Sequence, residues 1–433
     1  MKWLKQFIRS QGNLGLLLTL LVAFGLRLAA AIVVEQKVAA TPGEICLIPG
    51  DANGYWELAQ RIVAGKDYSI YTPPRFVLRM PGFPLLLALS QFLFGESTFA
   101  ARCLLAGVGT VACGLTYWLG RELCDAKIGL IAAIYVALSP TQILFSVLLL
   151  SETVFAVTLL ASLLTFVSLD RFKERKSFHG GFDGTAMFAG MMIAVATYMR
   201  PTWLYVGPLI AVFVLCSRRG GRSTHSILIS LSWLVAGVTL LLAPWIIRNY
   251  AVTEQHIVPT TLWVGPSLYD GLHPEATGDS DMAFFDREQR LSRLSEYEMD
   301  REYRGRAIAF LREHPLRSMW LAIKKQQRYW SLLPNARQFR QALLQTMVMI
   351  AVIPLFFFAA CGAWLARRNF FLLAMTTGSL MLFAGLHLFF VGSLRYRLPA
   401  EYPLAILGAF GLNSCVVGCG WPFRATANAP QSK

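Results

Sequence analysis

Long apolar segments alternate with short polar connections along most of the chain. These segments cover residues 14–34, 81–94, 100–120, 128–149, 152–169, 185–198, 202–216, 226–247, 342–365, 370–391 and 399–418. A helix needs about 20 apolar residues to cross a hydrocarbon layer roughly 30 Å thick, and most of the segments approach that length. The pattern therefore predicts an all-α polytopic membrane protein.

The segment 81–94 decides the topology, because it is short for a crossing and carries two prolines at its start. If it stays on one side, the N-terminus lies inside and every basic connection faces the cytoplasm. Those connections are residues 121–127, 171–176, 218–222 and 367–368 and the C-terminal tail. If it crosses, each of them faces outward, against the rule that Lys and Arg stay on the cytoplasmic side. We therefore predict a juxtamembrane helix at 81–94 and about ten transmembrane helices.

This topology divides the chain into three parts and a tail. Residues 1–247 form an N-terminal transmembrane module that includes a long first outer loop, 35–99, with juxtamembrane helices. Residues 248–341 form a helical region on the outer face, after the Pro-Trp-Ile-Ile-Arg-Asn segment. Residues 342–418 form the C-terminal transmembrane helices, and 419–433 a cytoplasmic tail.

Composition supports this prediction and excludes other classes. Of the 433 residues, 55% are hydrophobic and 15% charged, more apolar than a soluble core of this length requires. The net charge of +15 resides mostly in the short connections, so it does not indicate nucleic-acid binding. Of the eight cysteines only Cys46 lies in a clearly polar outer loop, so no disulfide framework is expected.

Two acids lie where catalysis at the outer face would need them. Asp51 follows a turn in the first outer loop and precedes an apparent short helix, so it is either a helix N-cap or a carboxylate that accepts a proton or binds a cation. Glu152 follows Ser151 at the outer membrane edge, where an acid is costly and suggests function. The alternative for Glu152 is a first-turn acid that favours the helix dipole. Tyr55 and Glu57, just after Asp51, are candidate substrate-pocket residues.

Arginines collect at the same predicted face. They are Arg75, Arg79, Arg200, Arg248, Arg395 and Arg397. A guanidinium group binds phosphate through two parallel hydrogen bonds, whereas a single arginine at a membrane edge is also an ordinary headgroup anchor. Convergence from separate parts of the chain favours a pocket for an anionic ligand. We assign Arg248 to the substrate pocket and the other five to a donor phosphate.

Several common catalytic motifs do not occur in the sequence. It contains no phosphate-binding loop of nucleoside-triphosphate enzymes, no Gly-x-Gly-x-x-Gly after a strand, no His-Glu-x-x-His and no Gly-x-Ser-x-Gly. The six histidines lack close ligand spacing. No metal site is therefore predicted, and cytosolic nucleotide chemistry has no visible place.

An ordered set of short motifs resembles the GT-C superfamily of glycosyltransferases. The motifs are Asp51-x-x-x-Tyr55, Pro81-Gly-Phe-Pro84 with its apolar helix, Leu138-Ser-Pro140 with Ser151-Glu152, Met199-Arg-Pro-Thr202, Ala243-Pro-Trp-Ile-Ile-Arg-Asn249, Glu313-His-Pro315 to Trp330, and Arg395-Tyr-Arg-Leu-Pro399. The motifs extend in order over about residues 20–415, and the ordered set is more specific than any single motif. Within the superfamily the chain resembles bacterial relatives of protein mannosyltransferases (glycosyltransferase family 39) and of lipid A aminoarabinose transferases.

The resemblance implies transfer of a sugar from a polyprenyl-phosphate donor to an acceptor on the outer face, usually with inversion. It assigns Asp51 to the acid of the first loop, which would act as base, and Glu152 to a second pocket acid. Arg79 matches a phosphate-facing basic position. Ala52 and Leu78 stand where some members carry further acids, so a divalent cation has no clear ligands here and no other cofactor is predicted.

Two other classes of function stay open. A transporter or lipid flippase for an anionic or glycosylated substrate would also have many spans. It predicts halves related by a repeat and charges in mid-span, and the sequence shows neither clearly. A non-catalytic envelope scaffold would leave both acids dispensable. The expected partners of the enzyme are a polyprenyl-phosphate sugar, membrane lipids and an acceptor lipid, glycan or protein, without nucleic acid. Its expected location is the bacterial plasma (inner) membrane, with the active site on the periplasmic or extracellular side.

Overall fold

A computed structural model describes residues 2–41, 46, 50–172, 182–217, 223–288, 293–334 and 341–417. The predicted tail at 419–433 and most of the basic connections at 171–176 and 218–222 lie outside the described residues.

The described chain is helical, which confirms the predicted class. The helices are α1 (Lys2–Ala39), α2 (Asp51–Val63), α3 (Gly82–Phe94), α4 (Thr98–Leu123), α5 (Ala126–Leu138), α6 (Pro140–Phe145), α7 (Glu152–Phe172), α8 (Gly184–Met199), α9 (Trp203–Cys216), α10 (Thr224–Val252), α11 (Val264–Gly271), α12 (Ala283–Arg287), α13 (Glu296–Glu313), α14 (Pro315–Tyr329), α15 (Ala342–Leu365), α16 (Phe370–Leu386) and α17 (Leu398–Val417).

Five stretches of helix are long and apolar enough to cross a membrane. They are Leu14–Ala39, Thr98–Leu123, Glu152–Asp170, Thr224–Val252 and Ala342–Leu365. Shorter apolar helices include α3, α5, α8, α9 and α16. The chain is thus a multi-helix membrane protein, and the total of ten crossings stays a prediction.

The predicted apolar helix over 128–149 is wrong in its extent. Helix α5 ends at Leu138, and the short α6 begins at Pro140. A proline disfavours helical backbone in the residue before it, and Ser139 is accordingly extended. The guanidinium group of Arg27, fully buried on α1, donates hydrogen bonds to the carbonyl oxygens of Val136 and Ala137 at the end of α5. The break therefore has polar partners inside the bundle.

Helices α8 and α10 approach each other through two glycines. A Cβ atom on Gly190 would lie 2.0 Å from the Leu234 carbonyl oxygen, and one on Gly237 would lie 2.1 Å from that of Met187. These distances leave no room for a side chain, so the two backbones are in contact. Small residues commonly permit such close packing of membrane helices.

We expect Gly190→Ala to lower the stability of the purified protein by about 1–3 kcal/mol or more, because the added methyl group must push two helices apart. Gly25→Ala on α1 is the matched control, since a Cβ atom there meets nothing within 4 Å. Thermal unfolding in detergent should show a lower midpoint for the first variant and an unchanged or slightly raised one for the second. Equal midpoints would contradict the close packing of α8 and α10.

Helices α2 and α3 lie at the end of the bundle where α8 ends. They pack on each other, and a Cβ atom on Gly82 at the start of α3 would be 2.7 Å from the Tyr198 carbonyl oxygen. Helix α8 ends one residue later at Met199, and Pro201 begins the tight turn into α9. The connection between α1 and α4 is therefore held beside Arg200.

Candidate active site

Asp51 is the first residue of α2, not its N-cap. Gly50 occupies the cap position with a φ of 90° and no side-chain cap is present, so the N-cap alternative for Asp51 is wrong. The helix dipole favours an acid in the first turn. Because the Asp51 carboxylate does not cap the helix, it can bind groups outside it. The Asp51 carboxylate accepts hydrogen bonds from two guanidinium groups, those of Arg79 at 2.9 Å and Arg395 at 2.7 Å.

Arg79 lies over one face of α2. Tyr55 follows Asp51 by one helical turn, so both side chains lie on the same face. The Arg79 guanidinium carbon is 4.5 Å from the centre of the Tyr55 ring, while Gly54 leaves room for the Arg79 side chain. Tyr55 in turn packs edge-on against Phe83 of α3.

Glu152 is the first residue of α7 and is almost fully buried. Its Oε1 accepts hydrogen bonds from Arg200 at 2.7 Å and from Arg395 at 2.8 Å. Arg200 follows the last residue of α8, and its Nε also donates to the Ser151 hydroxyl group. Arg200 and Arg395, which are far apart in the sequence, thus bind the same carboxylate.

Arg395 joins the two acids. It lies in a short 3-10 helix, Leu394–Tyr396, between α16 and α17, and its guanidinium group binds Asp51 through one nitrogen and Glu152 through another. The five side chains form one cluster, the arginine–acid cluster: Asp51, Arg79, Glu152, Arg200 and Arg395. It contains three positive and two negative groups, so its net charge is +1.

The cluster fixes the protonation state of Asp51. Burial raises the pKa of this carboxyl group, but the guanidinium groups of Arg79 and Arg395 lower it by more, so its pKa lies well below the ordinary 3.8. Burial lowers the pKa of the Arg395 guanidinium group, but the carboxylates of Glu152 and Asp51 raise it by more. The Asp51 carboxylate is therefore ionised and weakly basic while both arginines hold it.

Because the folded-state pKa of Asp51 is depressed, its ion pairs contribute stability at neutral pH that is lost as the pH falls below the unfolded-state pKa. We expect the difference in thermal midpoint between the wild type and Asp51→Asn to stay constant from about pH 7 to about pH 5 and to shrink at more acidic pH. Thermal unfolding across this range checks the sign. A difference that closes between pH 7 and pH 5 would contradict the ion pairing.

The cluster does not suit a divalent cation. Among the described residues no group of three or more His, Cys, Asp or Glu side chains is placed to hold a metal ion. Both oxygens of Asp51 and Oε1 of Glu152 already bind guanidinium groups. A hard cation such as Mg²⁺ or Ca²⁺ binds through carboxylate oxygens, so here it would compete with the guanidinium groups that already hold them.

Four predicted site residues lie elsewhere. Glu57 binds Arg61 one turn along α2, with its side chain partly in solvent. Arg75 donates to the Leu294 carbonyl oxygen, just before α13. These contacts lie outside the cluster, and the assignment of Arg75 to the phosphate and of Glu57 to the substrate pocket stays a prediction.

Arg248 and Arg397 have structural partners as well. Arg248 donates to the carbonyl oxygens of Phe76 and Tyr68 and thereby fixes the loop that carries Arg79. Arg397 is fully buried, pairs with Glu401 on the next turn at 2.7 Å and donates to a backbone carbonyl oxygen. Arg395, two residues earlier, binds Asp51 and Glu152 instead, because residues two apart in a 3-10 helix lie on different faces.

Two residues of the site have no signal of their own in the sequence analysis. Tyr396 lies beneath both Arg200 and Arg395, whose guanidinium carbons are 5.5 and 5.3 Å from its ring centre, and it stacks on His387. Lys325 of α14 is fully buried, and its amine donates to the carbonyl oxygens of Leu388 and Phe389, which precede the 3-10 helix. The dense Arg395-Tyr-Arg-Leu-Pro399 motif points to Tyr396 only in retrospect, and Lys325 sits in a helix that looks like a surface element.

Comparison with known proteins finds one family that matches part of the chain. Residues 78–247 match the family described as dolichyl-phosphate-mannose-protein mannosyltransferase, a segment that includes Arg79, Glu152 and Arg200. No curated protein matches the chain.

Solved structures share the fold. The archaeal oligosaccharyltransferase AglB from Archaeoglobus fulgidus, in complex with an inhibitory peptide and a dolichol-phosphate, is 14% identical with a TM-score of 0.53, over 95% of this chain and 51% of that one. The Archaeoglobus fulgidus oligosaccharyltransferase in complex with Zn and sulfate is 16% identical with a TM-score of 0.55, over 92% and 49%. ArnT from Cupriavidus metallidurans, bound to undecaprenyl phosphate, is 13% identical with a TM-score of 0.41, over 93% and 78%.

The chain spans about half the length of the oligosaccharyltransferases that it matches. At these identities the likeness concerns the fold, and the TM-score of the ArnT match is too low to carry an inference. The predicted resemblance is confirmed at this level: the chain is a membrane protein with the fold of GT-C glycosyltransferases, and its residues 78–247 are similar to the dolichyl-phosphate-mannose-protein mannosyltransferase family.

Proposed function

We propose that this protein transfers a sugar from a polyprenyl-phosphate donor to a lipid, glycan or protein acceptor on the outer face of the bacterial inner membrane. The observation that carries the proposal is the convergence of three arginines, from three distant parts of the chain, on two carboxylates. The family of residues 78–247 takes its name from a dolichyl-phosphate sugar, and the structure of AglB contains dolichol-phosphate.

The net charge of the cluster suits each stage of such a reaction. A polyprenyl-phosphate sugar is a phosphodiester with one negative charge, which the net charge of +1 balances. When the sugar leaves, the lipid phosphate becomes a monoester with nearly two negative charges at neutral pH. If Asp51 has taken a proton from the acceptor in the same step, the cluster has gained one positive charge as well. Electrostatic balance in a water-poor site stabilises the transition state.

The proposed step exchanges one bond at the anomeric carbon and transfers one proton. The acceptor oxygen or nitrogen attacks the anomeric carbon, the bond from that carbon to the phosphate oxygen breaks, and the electron pair stays on the phosphate. The acceptor proton goes to Asp51, which acts as general base. Attack opposite to the leaving phosphate inverts the anomeric centre.

Donor binding would also make Asp51 a better base. While Arg79 and Arg395 hold the carboxylate, its pKa is well below the range useful for accepting a proton. A phosphate that competes for those guanidinium groups weakens their hold on Asp51. Burial then raises the pKa of the carboxyl group toward the working range.

Two buried polar atoms of the cluster are left for substrate. Among the described residues, Arg79 Nε and Glu152 Oε2 have no hydrogen-bond partner. Buried polar groups normally have one, so these two atoms are available for contact with a substrate. Arg79 Nε is a donor suited to a phosphate oxygen, and Glu152 Oε2 an acceptor suited to a sugar hydroxyl group.

Mass spectrometry of envelope lipids and glycans, from cells with and without the protein, tests this function. We expect one class of molecule to lose a mass increment of one sugar in its absence, to regain it with the wild type and not with Asp51→Asn. An unchanged profile together with lost uptake of a solute would instead support transport.

A further inference from the structure

Lys325 is a fully buried amine on an amphipathic outer helix. Its Nζ donates hydrogen bonds to the carbonyl oxygens of Leu388 at 3.1 Å and Phe389 at 2.7 Å, just after α16 ends. The backbone closes tightly around it, since a Cβ atom on Gly392 would lie 2.0 Å from the Lys325 carbonyl oxygen. Burial lowers the pKa of Lys325 to about 8, partly opposed by Asp270, so the amine is largely protonated at neutral pH.

Neighbouring side chains of α14 bind the same turn. Gln326 donates to the Ala384 carbonyl oxygen at 2.7 Å, and Arg328 Nε donates to that of Gly392 at 3.2 Å. The last carbonyl groups of a helix have no partner within it and need one from elsewhere. One face of α14 therefore supplies donors to the end of α16 and to residues 387–393, which we name the α14-bound turn.

The α14-bound turn leads directly to Arg395. Gly392 precedes Arg395 by three residues, and the 3-10 helix that carries Arg395 begins at Leu394. The Arg397 guanidinium group binds the Tyr329 carbonyl oxygen at the end of α14, which fixes the other side of Arg395. A shift of the turn would move a guanidinium group that must reach both Asp51 and Glu152.

We propose that Lys325 is a positioning residue for Arg395: its ammonium group fixes the α14-bound turn and so sets where Arg395 meets the lipid phosphate. The outer region thereby determines donor affinity without touching the donor. This inference rests on the proposed function, because it assigns a lipid phosphate to the cluster.

The test uses Lys325→Met, which keeps the length of the side chain and removes its donors. Lys324→Met is the matched control, since Lys324 is the preceding residue and lies over the Trp320 ring, away from the turn. With purified protein in detergent, we expect the Kd of undecaprenyl phosphate to rise about tenfold for Lys325→Met and to stay within about twofold for Lys324→Met. In transfer assays with polyprenyl-phospho-mannose, the donor KM should rise and the acceptor KM should not.

A double-mutant cycle separates positioning from general destabilisation. If Lys325 acts through Arg395, Lys325→Met adds nothing to the Kd of Arg395→Gln. Additive effects, or an unchanged Kd for folded Lys325→Met, would overturn the inference. Lys325→Gln, which keeps two donors without charge, should give an intermediate Kd and replaces Lys325→Met if that variant fails to fold. A wild type that binds no undecaprenyl phosphate would refute the proposed function itself.

Discussion

Asp51→Asn should lower the rate of sugar transfer by about 10²–10⁴ and leave the binding of undecaprenyl phosphate as tight as in the wild type or tighter. The rate falls because an amide cannot accept the acceptor proton. Binding persists because the substitution removes a negative charge from beside Arg79 and Arg395 and raises the net charge of the cluster from +1 to +2. Turnover with saturating donor and equilibrium binding of the lipid phosphate measure the two effects separately.

Glu57→Gln provides the control for this experiment. Glu57 lies on the same helix, but its carboxylate pairs with Arg61 at the partly exposed surface of α2. Its substitution should change neither rate nor binding by more than about twofold, as expected of surface pairs. Full turnover by Asp51→Asn would show that Asp51 is not the base. Loss of binding together with turnover would show instead that it only positions the arginines.

Arg395→Lys should weaken the binding of undecaprenyl phosphate at least tenfold, about 1.4 kcal/mol. The guanidinium group of Arg395 reaches Glu152 through Nε and Asp51 through a terminal nitrogen, and its ring contact with Tyr396 orients its plane. A lysine keeps the charge but has a single nitrogen and cannot span both acids. Isothermal calorimetry or a labelled-lipid competition assay in detergent measures this change.

The same measurement with Arg61→Lys separates geometry from charge. Arg61 is a partly exposed arginine of α2, paired only with Glu57, so lysine should replace it without effect. If Arg395→Lys bound the lipid phosphate as well as the wild type, the cluster would act only through its net charge, and the two-acid bridge would have no role in recognition.

Much of the architecture follows from hydropathy and the distribution of basic residues. The predicted segments 152–169, 185–198 and 226–247 coincide with α7, α8 and α10 to within a few residues. The segment 128–149 does not, because hydropathy is blind to a helix break when both sides are apolar. There the decisive features are Pro140 and a buried Arg27 that arrives from α1.

Candidate site residues were predictable where a charge had no local partner. Asp51, Glu152, Arg79, Arg200 and Arg395 all bind groups far away in sequence. By contrast, Arg397 pairs with Glu401 one helical turn along, and Glu57 pairs with Arg61 in the same way. Spacing of four residues between opposite charges indicates such a local pair, and it would have removed both from the list.

The role of Lys325 could not be inferred from pattern. Its helix has the alternation of a surface element, and the adjacent Lys324 is chemically identical. Only the close approach of residues 388–392 buries one of the two amines. Which side chain a tertiary contact covers depends on packing between segments more than 60 residues apart.

Release of free polyprenyl phosphate is the most direct measure of the proposed reaction. Proteoliposomes with the wild type or Asp51→Asn would receive a panel of polyprenyl-phosphate sugars, beginning with mannose, and an envelope extract as acceptor. We expect the wild type to release polyprenyl phosphate from at least one member of the panel and Asp51→Asn to release at least a hundredfold less. Equal release by both proteins, or none by the wild type from any donor, would contradict sugar transfer by the arginine–acid cluster.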